Sequence, residues 1–232
     1  MTEPLLIGMR GWEHTAWQGH FYPAELPSDW RFCFYSNRLR SVLLPAELWS
    51  AVDADEVRRW LGECDAQFRF VLELPQALTQ PGDAAGFDAH WAGFRALIEP
   101  LHAVTTGLLL RVSAASSPER DWLAHALSVL TSDKPVCVDL PSDAWRTPSV
   151  LTVLSDTGAG LCWYADAPGP PHPGGRFMVG LTQGGNAKAM RQHIEALAAW
   201  QQGDALAGLF VDAPGRPGMA EEARIIAEIL GR

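Results

Sequence analysis

Short runs of β-branched and apolar residues recur along the chain and alternate with amphipathic stretches. The runs fall at Leu5–Arg10, Ser41–Pro45, Phe68–Leu74, Gly107–Ser113, Pro135–Leu140, Gly160–Asp166, Arg176–Thr182 and Leu206–Asp212. Each reads as a strand, and the spacing of about 29 residues per unit is the length of one strand, one helix and two loops. Helical periodicity fills most gaps. Asp53–Cys64 carries Val57, Trp60 and Leu61 behind a capping Asp53, and Phe87–Leu101 repeats Phe87, Trp91, Phe94 and Ile98 on one face. Pro118–Leu130 gathers Trp122, Leu123, Leu127 and Leu130, with Ser117 ahead of a first-turn proline. Ala187–Trp200 and Met219–Leu230 complete the set, and a further helix is expected to begin near Ser28. Strands alternating with helices imply a parallel sheet with right-handed crossovers. Eight units favour closure into a (β/α)8, TIM-type barrel, here as one domain over residues 1–232.

Two stretches break the rhythm. Asp166–Gly175 reads DAPGPPHPGG, whose prolines and glycines forbid a helix, so the sixth connection is expected to be irregular. The first run feeds a long segment from Gly8 to Pro23 dense in Trp, Gly, His and Tyr. A strand opening into such a loop is how a barrel builds the mouth of a ligand site.

Composition narrows the classes. Hydrophobic residues make up 47% and charged residues 19%, which suits a folded, enzyme-like chain. The balance of 18 basic against 27 acidic residues leaves −9, which argues against nucleic acid as a partner, because such binding relies on neutralising phosphates. The four cysteines, Cys33, Cys64, Cys137 and Cys162, have no paired spacing; Cys137 and Cys162 lie in strand-like runs as buried thiols. Without a leader-like N-terminus or a membrane-length apolar run, a reducing cytoplasm is the expected compartment. Dinucleotide, P-loop and Ser-His-Asp patterns are not found, so no cofactor is implied. Metal is not expected either: His14, His20 and His172 lie on the functional face, but none is spaced to pair with a second ligand.

Barrels of this kind keep their functional groups at the C-terminal ends of the strands. Strand alternation places Arg69, Val71 and Glu73 on one face and Phe68, Phe70, Leu72 and Leu74 on the other. The all-apolar face packs on helices, so Glu73 should point into the barrel, and the same parity turns Arg111, Asp139 and Asp212 inward. Glu73, Asp139 and Asp212 are thus the candidate acids or bases. Glu73, Arg111 and Asp139 are also expected to form an ion cluster, with Arg111 bonded to one or both carboxylates and the cluster structural before it is catalytic. Gln183-Gly184-Gly185-Asn186 opens a helix carrying Lys188, and Arg216 follows the last strand. Loops after the seventh and eighth strands often bind phosphate, so Gly184, Gly185, Asn186, Lys188 and Arg216 are an expected anion site; the plainer alternative is a glycine turn capped by Asn186. The loop aromatics Trp12, Trp17, Phe21, Tyr22 and Trp30 either stack a sugar or base, or pack the loop onto the rim.

At the opening stretch the sequence resembles the domain of unknown function 72 family, the YecE-like barrel proteins. The resemblance rests on Ile7, Gly8, Gly11, Trp12, Trp17, Gly19, Phe21, Tyr22 and Pro23. It continues at Phe68-Arg69-Phe70, at Val138-Asp139 with Trp145, and at Phe210 and Asp212 with Pro214 and Gly215. Departures are as clear. Positions where the family carries a carboxylate and an amide are Leu43 and Pro45; its third-strand lysine falls at Glu73 and its fourth-strand glutamine at Arg111. Its Arg-His pair falls at Pro141-Ser142, and its polar seventh-strand motif at Gly180, Thr182 and Gln183. The resemblance therefore implies a YecE-like barrel with a rewritten polar pocket. Expected functions are binding of a small anionic ligand or a regulatory role, a hydrolase acting on phosphate-containing or glycosidic substrates, or a protein-interaction module using the aromatic loop.

Overall fold

In the computed structural model, residues 4–216 and 218–230 are described. The strands are β1 (Leu6–Arg10), β2 (Ser41–Leu44), β3 (Arg69–Glu73), β4 (Thr105–Arg111), β5 (Val136–Asp139), β6 (Gly160–Leu161), β7 (Trp163–Tyr164), β8 (Phe177–Thr182) and β9 (Leu206–Val211). All pairings are parallel, in the order β6-β5-β4-β3-β2-β1-β9-β8-β7. The two ends of that order are halves of one strand position. The expected strand Gly160–Asp166 is split at Cys162: β6 pairs with β5, and β7 pairs with β8. Bonds bracket the break, from Cys162 N to Val138 O and from Ala165 N to Leu181 O, each 2.8 Å. The result is an eight-position barrel closed through a broken sixth strand. Gly160 lets the seam close, because a Cβ there would lie 1.9 Å from the Phe177 carbonyl oxygen.

Side-chain alternation sorts the apolar residues into two bodies. Leu43, Val71, Leu109, Cys137, Cys162, Phe177, Val179, Leu181 and Phe210 fill the barrel. A larger shell, including Phe68, Phe70, Leu72 and Leu74, packs against the helices. The inward parity of Val71 and Glu73 follows from the pleat. Gly107 makes room for the Phe177 ring, which would sit 2.5 Å from a Cβ at that position.

The helices are α1 (Arg31–Ser36), α2 (Ala54–Glu63), α3 (Ala84–Ile98), α4 (Arg120–Thr131), α5 (Pro148–Thr157), α6 (Ala187–Trp200) and α7 (Gly218–Ile229). Asp53 caps α2 by accepting from the amides of Asp55 and Glu56. Asp83 caps α3 and starts it three residues ahead of the expected Phe87. Helix α4 begins later than expected: Ser117 and Pro118 lie in irregular chain, and Glu119 at the N-cap makes no side-chain cap. Helix α5 was hidden by its weak periodicity. Its ends are well marked, by Thr147 capping Val150, by Pro148 in the first turn, and by Gly158 at φ 70°. Residues 166–175 contain no helix; Trp200 Nε1 holds that segment to α6 by donating to His172 O at 2.8 Å. No helix among the described residues is long and apolar enough to cross a membrane.

Candidate functional site

Glu73 ends β3 and points into the barrel mouth, where it is 1% exposed. Two guanidinium groups converge on it. Arg10, at the end of β1, donates Nε to Oε1 at 2.6 Å and NH2 to Oε2 at 2.8 Å. Arg111, at the end of β4, donates NH2 to Oε1 at 3.2 Å. The Ala46 amide adds a bond to Oε2 at 3.2 Å, and Trp49 Nε1 donates to the Glu73 backbone oxygen. A carboxylate held by a two-pronged Arg, a second Arg and an amide has few lone-pair directions left. Glu73 therefore works as the pin that ties β1, β4 and the loop after β2 together.

The network continues on both sides. Arg10 NH2 also donates to both oxygens of Glu47, at 2.9 and 2.8 Å. Burial alone would lower the Arg10 pKa, but Glu73 and Glu47 outweigh it and raise the value. Arg111 Nε lies 3.4 Å from Asp139 Oδ2, near enough to pair charges but not aligned for a hydrogen bond. Tyr164, in β7, donates its hydroxyl to the same Oδ2 at 2.6 Å. Burial pushes the Asp139 carboxyl up, against the pull of Tyr164 and Arg111. Burial and the carboxylate neighbour together push the Tyr164 phenol up.

The structure thus brings Glu73, Arg111 and Asp139 together and adds three residues that the sequence reading had not joined to them. Arg10 shares its inward parity with Leu6 and Gly8, a usable signal. It reaches Glu73 across β2, where Leu43 brings no competing polar group. Tyr164 shares parity with Cys162. Glu47 lies beyond a strand end, where alternation gives no guide.

The opposite rim is less committed. Asp212 follows β9, half-buried, and among the described residues nothing bonds its carboxylate. His14 folds back over the end of β1, its Nε2 2.9 Å from Arg10 O and its ring packed on Trp17 at 4.3 Å. Burial lowers the His14 pKa; the bond to the Arg10 carbonyl and the Asp212 charge act against that shift, and the Arg10 charge acts with it.

The glycine loop after β8 differs from the expected cradle. Gly184 N donates to Thr182 Oγ1 at 3.0 Å, so of the three expected amides only those of Gly185 and Asn186 lack a described partner. The neighbouring Gln183 amide is taken by Asp166 Oδ2 at 2.6 Å, and Thr182 Oγ1 donates to Asp166 Oδ1. Asn186 caps α6 by accepting from Ala189 N at 2.9 Å. Arg216 donates to Gln183 O at 3.1 Å, and Lys188 is exposed.

The aromatic loop is a packing device, the second of its two expected roles. Trp12, Trp17, Phe21 and Tyr22 are all buried in the shell outside the barrel. Trp12 packs on Phe32 and Trp60, and Tyr22 donates to Trp12 O at 2.6 Å. Of the loop aromatics Trp30 alone, 60% exposed, presents a face to solvent, which leaves the interaction-module reading one side chain rather than a surface. Among the described residues no group of three or more His, Cys, Asp or Glu is placed to hold a metal ion.

The comparisons with known proteins agree on the fold. The chain is similar to a DUF72 family protein from Thermotoga maritima MSB8, at 16% identity over 99% of this chain and 100% of that one, with a TM-score of 0.76. A DUF72 family protein from Enterococcus faecalis V583 gives 14% identity over 100% of both chains and a TM-score of 0.71. More distantly, a D-psicose 3-epimerase solved in the presence of D-fructose gives 9% identity over 97% and 99% of the two chains and a TM-score of 0.58. No curated protein matches the sequence. The family described as "Protein of unknown function DUF72" matches residues 6–231, and the chain belongs to that family.

Proposed function

We propose that the barrel mouth binds a small ligand through an anionic group received by Arg111, and that the protein acts as a binding barrel rather than through Glu73 chemistry. One observation carries the reading. Glu73 is already held by Arg10 and the Ala46 amide, so Arg111, 36% exposed, keeps guanidinium donors to spare. A guanidinium fixed from behind by one buried carboxylate and facing solvent is suited to a carboxylate or phosphate. The glycine loop is a less favourable anion cradle, since the Asp166 carboxylate already occupies the Gln183 amide. Gly185, Asn186, Lys188 and Arg216 remain on the same face as secondary contacts for such a group.

The test is a thermal-shift series with inorganic phosphate, citrate and sugar phosphates on the wild type and on Arg111→Gln. A ligand that binds the folded state raises its apparent stability. The expected result is at least one anion that raises Tm in the wild type and not in the variant. Shifts of equal size in both proteins, or in neither, overturn the proposal.

A second reading draws on Asp139. A carboxyl pushed up by burial and bonded to a phenol is the kind of group that serves as a general acid, so a hydrolase would use Asp139 with Tyr164 beside it. A phosphatase and glycosidase screen in which Asp139→Asn alone removes turnover would favour that reading.

A further inference from the structure

Across the barrel from Arg111, the mouth is built of acceptors. The β4 position lies four strands from β9 in either direction, so Arg111 and Asp212 face each other over the full width of the opening. His14 stands beside Asp212, in the loop after β1, close enough to feel the charges of both Asp212 and Arg10. The chemistry of its two nitrogens is settled by one contact. Arg10 O is a carbonyl and only accepts, so His14 Nε2 must carry the proton that bridges the 2.9 Å between them. Burial keeps the ring neutral at pH 7, which leaves Nδ1 as a bare acceptor. Among the described residues nothing donates to it, and nothing donates to the Asp212 carboxylate. One rim offers N–H donors and positive charge; the other offers lone pairs.

We propose that the ligand is a polyhydroxylated anion, its charged end on Arg111 and its hydroxyl groups donating to His14 Nδ1 and Asp212. This rests on the reading of Arg111 given above and adds the specificity of the facing rim. Eight tilted strands spaced as in any sheet enclose a backbone ring about 15 Å across. A ligand held by Arg111 that also reaches the end of β9 must therefore be a chain of several carbons. A hydroxyl donor satisfies each acceptor, whereas a methylene would leave two polar groups desolvated and unpaired.

Three probes of similar length separate the contributions: D-gluconate carries charge and hydroxyls, hexanoate charge alone, and D-glucitol hydroxyls alone. Titration calorimetry should show gluconate binding roughly tenfold or more tighter than either of the others. Arg111→Gln should reduce gluconate to the level of glucitol. Asp212→Ala, which has no acceptor, and His14→Phe, which keeps a ring against Trp17 but has no nitrogen, should each move it toward the level of hexanoate. His14→Asn, whose side-chain oxygen replaces the lost acceptor, should restore the preference, and this variant guards against a folding defect in His14→Phe. If hexanoate binds as tightly as gluconate and Arg111→Gln abolishes both, the hydroxyl-reading rim is wrong while the anion reading stands. If glucitol equals gluconate, or none of the three binds, both fail.

Discussion

The two rims of the barrel mouth are made of similar residues put to different uses. On the arc from β1 to β5, every carboxylate has a cation, an amide or a phenol: Glu47 and Glu73 meet Arg10, Glu73 meets Arg111 and the Ala46 amide, and Asp139 meets Tyr164. Next to it, where β9 meets the loop over β1, Asp212 stands without a described partner and His14 is held through one nitrogen only. Buried charge survives only when it is paired, and a paired charge has little left to offer a ligand. The first arc is where the mouth spends its polar groups on holding shape. The second is where groups remain to be satisfied from outside.

That contrast can be broken most sharply at Glu73. Glu73→Ala leaves two guanidiniums facing each other in a half-buried site, and the expected loss is about 3–5 kcal/mol of folding stability, measured by urea denaturation. A loss below about 1 kcal/mol would mean that water replaces the pin without difficulty. Arg111→Leu should cost less, about 1–2 kcal/mol, because Glu73 keeps both bonds to Arg10 and Arg111 is 36% exposed. A dry ion pair would cost about 3–5 kcal/mol to break in this way; the solvent-facing guanidinium keeps the expected figure lower. Asp212→Ala should change stability by no more than about 0.5 kcal/mol in either direction while weakening ligand binding. A large destabilisation there would show that Asp212 belongs with the structural arc.

The smallest expected effect is one of pH. The folded protein binds a proton on His14 less readily than the unfolded chain, whose imidazole titrates near 6.5. As pH falls through that value, the unfolded state takes up the proton first, so stability declines; the decline ends once the folded imidazole is protonated too. Asp139 works in the opposite sense. Its carboxyl is raised, so its contribution is greatest in acid and is lost as pH rises from about 3.8 through the folded value. Denaturation midpoints followed from about pH 8 to about pH 5 should therefore fall in the wild type and fall less in His14→Asn. Parallel curves would remove His14 from the list of groups whose ionisation the fold resists.

Much of this arrangement is legible in the sequence, for physical reasons. The pleat has a period of two, so the apolar run Phe68, Phe70, Leu72, Leu74 fixed the direction of Glu73, and the same rule turned Arg111 and Asp139 toward it. Arg10 obeyed the rule as well, but β1 and β3 are not neighbours, and no local pattern says that a long side chain will cross an intervening strand. The aromatic loop misled for a different reason. Trp, Phe and Tyr at a mouth serve equally to stack a ligand or to seal a shell, and only the tertiary packing of Trp12 on Phe32 and Trp60 decides between them. Periodicity does not signal helix α5 although Thr147-Pro148 is a good start signal, because its buried face is short: Val150, Val153 and Leu154, with Leu151 partly buried beside them.

The broken sixth strand has a consequence for how the barrel comes apart. Every other strand position is a single segment paired on both sides, while closure here depends on two segments of two residues, each paired on one side only. A ring fails at its weakest link, so the first large opening of this barrel is expected between β5 and β8, with Cys137 and Cys162 the interior residues it uncovers. Tyr164 sits on that link and grips Asp139 across it. A ligand that steadied Tyr164 would also be a clasp on the seam, so that occupancy of the mouth and integrity of the ring rise and fall together.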